Sequence, residues 1–274
     1  MKKKILVIGA SGYVGARIYS DLSVKYDVVG TYFGNKQNDD LIQIDIANIE
    51  SVRKIMGEVK PDFIVQVAAF PVNPMTDEQK KLVQQVNYVG MDNVVKVSNE
   101  LGIKLVFISS AVAEFKGNSY GDSKAYGENV CKNVIAGSLI VRPHTVFGYS
   151  PNMTNDRSFN RILKNIFLQT PAVYDTSWKF MPTYIGHMSM VIEKYVEGEI
   201  NNGIMNVAMD TIKSKFDLGY DILKNFNIEV TPIDNKIDWP LIKLDLTDFN
   251  KLNLPIKSYD EMILKMVEEI KSIN

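Results

Sequence analysis

Short runs of apolar residues alternate along this chain with longer stretches in which apolar positions recur every three or four residues. The runs are "KILVIG" from Lys4, "DVVGTYF" from Asp27, "LIQIDI" from Leu41, "DFIVQVAAF" from Asp62, "KLVFISS" from Lys104 and "SLIVRP" from Ser138. They lack regular polar alternation, which suits strands covered on both faces. Between them, "YVGARIYSDLSVKY" carries an apolar face. Residues 77–102 repeat Leu82, Val86, Val89, Val94 and Val97 at near-helical spacing before Gly102. The connection around residues 37–49 gives no clear element. Strands alternating with helices imply parallel β-α-β units, hence an α/β fold with a doubly wound parallel sheet within residues 1–150. After Pro143 the regularity loosens: "GYSPNMTND" reads as a loop, "RSFNRILKNIFLQ" as a helix, "GIMNVAM" as a strand and "TIKSKFDLGYDILKNF" as a helix. The last segment, "SYDEMILKMVEEIKSI", reads as an amphipathic helix begun by Ser258 or Asp260. Residues 151–274 are expected to form mainly a small lobe capping the sheet, with the segment near 203–209 returning to it.

Composition narrows the partner. With 274 residues, 46% of them hydrophobic, the chain can bury a substantial core. Its 31 basic residues are balanced by 32 acidic ones, which argues against a dedicated nucleic-acid or membrane surface and leaves a small molecule as the expected ligand. No stretch approaches the roughly 18 apolar residues of a membrane span. The first run is broken by Gly9 and followed by Ser11, Gly12 and Gly15, unlike a signal peptide. The single cysteine, Cys131, cannot form an internal disulfide and reads as a small core residue, so a cytoplasmic setting is the default. His144 and His187 are too isolated for a metal-ligand pattern, and no metal is expected.

The first strand runs into "GASGYVG", with Gly9, Gly12 and Gly15 between a strand and a helix. In that setting glycines serve a tight turn, close backbone approach to a pyrophosphate and packing of helix on strand. The helix start offers unpaired N–H groups and the positive end of a dipole to phosphates. This is the pattern of a Rossmann-like dinucleotide-binding domain. An acid at the end of the second strand would bind the ribose 2′-hydroxyl and repel a 2′-phosphate. The tip here reads "GTYFGNK", with none, and Lys36 and Arg17 are either phosphate contacts or solvated charges. NADP(H) is favoured, and Asp39 and Asp40 keep NAD(H) open. Asp45, ending the third run, suits an adenine amino group or a turn cap.

Candidate chemistry lies in "FISSAVAEFKGNSYGDSKAYGE", residues 107–128. Tyr120 and Lys124 are one helical turn apart and share a face. A neighbouring ammonium and a nicotinamide cation would lower the tyrosine's ordinary pKa near 10 and ready its proton for transfer. Lys124 also suits the nicotinamide ribose hydroxyls, and Ser110, at a strand end, suits a developing oxyanion. Arg157 and Arg161, four apart, suit a substrate diphosphate or a solvated face. Arg142 reads as a structural anchor.

These motifs, with "IDI", "KPDFIVQVAAF", "VNYVGMDNV", "LIVRPHTVFG" and "MPTYIGHMSMVI" in the same order, resemble the extended short-chain dehydrogenase/reductases and, among them, the dTDP-4-dehydrorhamnose reductase (RmlD-like) family over essentially the whole chain. The resemblance implies an NAD(P)-dependent oxidoreductase reducing a keto group, most readily of a nucleotide-linked 4-keto sugar, as a monomer or homodimer. It makes Ser110, Tyr120 and Lys124 catalytic, with Ser110 and Tyr120 also on the substrate beside Arg157 and Arg161. The cofactor set is Gly9, Ser11, Gly12, Tyr13, Val14, Gly15, Tyr32, Lys36, Asp45, Ile46, Ala68, Ala69, Asn87 and Lys124. Trp178, Lys179 and Phe180 fall near where the family approaches its substrate. The chain departs from the family at Ala111, Val112, Ala113 and Glu114 and in a shortened step to Tyr120, which alters the sugar-holding segment. It lacks the Asp-Glu pair of sugar dehydratases there. A nucleotide-sugar epimerase, or a non-catalytic NADP-binding regulatory subunit resembling the β subunit of methionine adenosyltransferase, are the alternatives.

Overall fold

A computed structural model describes residues 2–70, 76–115 and 117–273. The apolar runs become strands: β1 (Lys4–Ile8), β2 (Asp27–Tyr32), β3 (Ile42–Gln43), β4 (Phe63–Gln66), β5 (Lys104–Ile108) and β6 (Ser138–Pro143). With Gly203–Val207 they form one seven-stranded sheet, ordered Gly203–Val207, β6, β5, β4, β1, β2, β3. Every neighbouring pair is parallel. The chain winds outward from β1 to β3, then returns to β4 on the other side of β1. That reversal leaves a crevice outside the carboxyl ends of β1 and β4.

Alternate residues of each strand enter different cores. Ile5, Val7, Val65, Val106 and Val141 pack on one face, while Leu6, Ile8, Ile64, Leu105 and Ile140 pack on the other. Such two-sided burial explains the unbroken apolar runs. The second face is covered by α2 (Ile49–Val59) and α4 (Gly90–Leu101), through Val52, Ile55, Met56, Met91 and Val94. The first is covered by α1 (Tyr13–Ser23) and by the helices Ser158–Leu168, Ile185–Val196, Lys215–Leu223 and Tyr259–Ser272. One apolar cluster therefore runs from β1 to Ile270.

Three local outcomes differ from the sequence reading. Helix α2, which the sequence reading did not identify, follows the connection at residues 37–49 and is opened by Asn48, whose side chain accepts from the Glu50 and Ser51 amides. Residues 77–101 are helical as expected, from α3 (Asp77–Val83) to α4, but Gln84–Val89 forms a wider π turn. A π turn shifts the phase of the helix face, so Leu82 and Val89 are exposed while Val83 and Asn87 are buried. In the segment 211–226 the helix starts only at Lys215, after the short strand Lys213–Ser214, because Ser214 and Asp217 close a capping box there. At the C-terminal helix Ser258 is the cap, in a box with Glu261.

Candidate active site

β1 ends in a turn whose shape excludes side chains. Gly9 has φ +91°, and a Cβ on it would lie 2.7 Å from the Ala68 amide nitrogen; a Cβ on Gly15 would lie 2.0 Å from the Gly9 carbonyl oxygen. The close approach lets α1 start directly under the strand end. Gly12 caps that helix without a side chain, leaving its first N–H groups to the crevice. The loop after β6 is fastened to the same turn: Asn152 Nδ2 donates to the Ser11 carbonyl, Ser150 Oγ donates to that of Tyr13, and Tyr13 Oη donates to that of Gly148.

A cavity of about 640 Å³ opens from this turn along the carboxyl ends of the strands. Near the β2 end it is lined by Tyr32, Phe33, Asp45 and Ile46; at its centre by Gly9, Ser11, Gly12, Tyr13, Val14, Gly15, Ala68 and Ala69. Beyond β5 it reaches Ser110, Tyr120 and Lys124, then His144, Arg157, Trp178 and Trp239. A glycine cradle continuous with a cavity of this size suits an extended dinucleotide, so the residues present fit that group. Among the described residues, no cluster of His, Cys, Asp and Glu could hold a metal ion, and no helix is long and apolar enough to cross a membrane.

Helix α5 (Ser119–Cys131) starts where the Asn118 side chain accepts from the Tyr120 and Gly121 amides. It carries Tyr120 and Lys124 into the cavity on one face. The Lys124 ammonium donates to the Ile108 carbonyl at 2.8 Å and lies 5.7 Å from the centre of the Tyr120 ring. Ser110 caps the short 3₁₀ turn Ala111–Glu114 by backbone alone, so its hydroxyl is not spent on the turn. Burial pushes the Tyr120 phenol up to about 12, with the Arg157 charge pulling it back. Burial pushes Lys124 down to about 8, against the opposing carboxylate of Glu128. At neutral pH Tyr120 therefore holds its proton and Lys124 its charge. The cation found to lower Tyr120 is Arg157, whereas the sequence pointed to Lys124.

Four expected contacts are placed elsewhere. Lys36 pairs with Asp39 at 3.0 Å, outside the cavity wall. Arg17 is held by Asp21 and Glu269 and donates to the Tyr149 carbonyl, so it fastens α1 to the C-terminal helix. Arg161 is bound to Asp156 on the exposed side of its helix, and only Arg157 of that pair lines the cavity. Asn87 stands behind the wall: its amide group bonds both backbone groups of Phe70 and donates to Ser123 Oγ, which donates to the Tyr120 carbonyl. Asp45 takes the turn role, accepting from the Ala47 amide, and it also lines the cavity.

Sequence reasoning missed Trp239 and His144 as wall residues. Trp239 sits in an irregular segment with no periodicity to mark it, and its placement depends on a ring contact with Phe115, centres 5.5 Å apart. Trp178, flagged by its place in the order of motifs, packs on Phe180 and under the Lys215 ammonium. His144 is pushed down to about 4 by burial and is neutral at pH 7. Arg142 is an anchor, paired with Glu128 and Glu114, and Cys131 is fully buried.

The chain belongs to the family described as RmlD substrate binding domain, whose model matches residues 2–240. The resemblance read from the motifs is thereby borne out. Among curated relatives, the methionine adenosyltransferase 2 subunit beta of Rattus norvegicus is 21% identical, over 88% of this chain and 77% of its own length. Among solved structures, the dTDP-4-dehydrorhamnose reductase of Bacillus anthracis in complex with NADP has a TM-score of 0.79 at 22% identity, covering 98% of this chain and 100% of that one. The UDP-glucose 4-epimerase of Thermus thermophilus in complex with NAD has a TM-score of 0.80 at 18% identity, covering 99% of this chain and 100% of that one.

Proposed function

We propose that this member of the RmlD family is an NAD(P)H-dependent reductase acting on a keto group, most readily that of a nucleotide-linked 4-keto sugar. The observation that carries the reading is the continuity of one cavity from the glycine turn to Ser110, Tyr120 and Lys124. Family membership supports the same chemistry, and relatives named as dTDP-4-dehydrorhamnose reductases supply the substrate class. A nicotinamide nucleotide bound at Gly9, Gly12 and Gly15 would supply the hydride for the carbonyl carbon. Tyr120 gives its phenolic proton to the carbonyl oxygen as negative charge develops there. Ser110 donates a hydrogen bond to that oxygen, in a site partly shielded from water. Lys124 holds ribose hydroxyls and, with Arg157, stabilises the tyrosinate that remains. The phenol stands at about 12 with the pull of Arg157 already included, and further stabilisation of the tyrosinate eases the transfer.

Purified protein titrated with NADPH and NADH, then offered nucleotide 4-keto sugars, is expected to consume the reduced cofactor. Tyr120→Phe is expected to abolish that consumption, by about 100-fold or more, with cofactor binding retained; full turnover in the variant would sink the assignment.

A second reading is supported by the length of the match to the β subunits of methionine adenosyltransferase. Under that reading the chain binds the cofactor without turnover. A stable complex that alters an adenosyltransferase's kinetics, with no keto sugar reduced, would favour it.

A further inference from the structure

Ser110 and Tyr120 lie on different elements, and something must hold those elements in register. The junction is a buried carboxylate that the proposed reaction does not use. Glu128 is 5% exposed and sits one turn beyond Lys124 on α5. Its Oε1 accepts from Ser109 Oγ at 2.5 Å and from Arg142 Nε at 2.7 Å; its Oε2 accepts from Arg142 Nη2 at 2.5 Å. The remaining arm of Arg142, Nη1, reaches Glu114, the last residue of the turn that Ser110 opens. Ser109 precedes Ser110, and Glu114 follows it by four residues, so both ends of the Ser110 segment are tied to the helix of Tyr120 and Lys124 through one guanidinium and one carboxylate. Neither Glu128, Arg142 nor Glu114 lines the cavity.

We propose that Glu128 and Arg142 are a positioning pair that sets the Ser110 turn against α5, so that Ser110, Tyr120 and Lys124 share one geometry. The inference rests on the reading of those three residues as the reacting site. A buried ion pair is weak evidence for stability as such, because desolvation offsets its attraction. What it supplies here is direction: a guanidinium fork fixes two carboxylates in a plane, where an apolar contact would let the turn slide along the helix. The pair also bears on charge. Lys124 is faced by Glu128 and Cys131 from its own helix; Glu128 is faced by Arg142 from β6, and Arg142 by Glu114 from the turn. Glu128 is a carboxylate whose field supports the Lys124 ammonium.

The full-length protein tests this without a known substrate. NADPH affinity, followed by nicotinamide fluorescence across pH, is expected to fall in the wild type as Lys124 loses its proton near pH 8. In Glu128→Gln that fall is expected to move down by about one pH unit, with the melting temperature recorded alongside. Arg142→Lys keeps the charge without the fork. Amide exchange at Ala113 and Phe115, which bond within the Ser110 turn, is expected to speed up about tenfold or more in Arg142→Met, as the loss of a charged hydrogen bond implies, and to be partly restored in Arg142→Lys. An unchanged pH dependence in a folded Glu128→Gln protein, together with unchanged exchange in both arginine variants, would overturn the pair's role. A wild type that binds neither NADPH nor NADH would instead overturn the reading of the cavity, and the proposal with it.

Discussion

The Lys124 ammonium donates to the carbonyl oxygen of Ile108 at 2.8 Å, so the helix that carries Tyr120 is bonded directly to the end of the strand that leads into Ser110. The bond holds a charge in a place where burial opposes it. Lys124 is 4% exposed, over the ring of Phe107.

That cost gives a stability prediction with a definite sign. Burial lowers the folded value of Lys124 from 10.5 to about 8. Between these values the unfolded chain binds more protons than the folded one, so this group's contribution to stability rises with pH across that window. Below about pH 8 the buried ammonium carries a net cost of about 3 kcal/mol, at about 1.4 kcal/mol per pH unit. Lys124→Met is therefore expected to melt no lower than the wild type at pH 7, while binding NADPH more weakly. Calorimetry and a fluorescence titration check both halves.

Arg157 is the cation that pulls Tyr120 down. Its removal is expected to raise the phenol further and to remove a charge from the cavity wall. A lost charge-assisted hydrogen bond is worth about 1.5–3 kcal/mol, so Arg157→Gln is expected to lower kcat/KM roughly 10- to 100-fold. The variant's NADPH affinity is expected to stay near the wild type. Arg161→Gln, on the exposed side of the same helix, is the control expected to leave kcat/KM unchanged.

Two glycine-to-alanine substitutions are expected to act in opposite directions. Gly15→Ala puts a methyl 2.0 Å from the Gly9 carbonyl oxygen and forces the turn apart, so cofactor binding is lost along with stability. Gly57 lies within α2 with no atom near its absent Cβ. Gly57→Ala is expected to stabilise by about 0.5–1 kcal/mol. Denaturant melts of the two variants decide it.

The cofactor preference is expected to be shallow. The tip of β2 carries no acid to repel a 2′-phosphate, yet Lys36 is paired with Asp39 and Arg17 with Asp21 and Glu269, so neither cation lines the wall to bind one. A single charge-assisted contact would favour NADPH by about 1.5–3 kcal/mol. Without it, the dissociation constants for NADPH and NADH are expected to agree within about tenfold. Parallel titrations measure the ratio, and a preference of about a hundredfold either way would refute this account of the β2 end.

The sequence by itself determined the strands, the glycine turn and the pairing of Tyr120 with Lys124, because each is a local rule. A strand buried on both faces must be an unbroken apolar run, a position whose Cβ would lie 2.0 Å from a carbonyl oxygen admits only glycine, and residues four apart on a helix share a face. What only the tertiary structure decided concerns where long side chains end and what distant segments meet. Lys36, Arg17 and Arg161 read alike as free cations, and each is claimed by a carboxylate; Asp39, Asp21 and Asp156 were near in sequence, but Glu269 lies 252 residues from Arg17. Asn87 moved behind the wall because a π turn changed the phase of its helix, a change that no hydrophobic period announces. Trp239 reached the cavity from an irregular segment because Phe115 met its ring. Local periodicity encodes which face of an element is buried. The partner of a charged or aromatic side chain depends on how the elements cross, and that is settled only when the sheet and its covering helices pack.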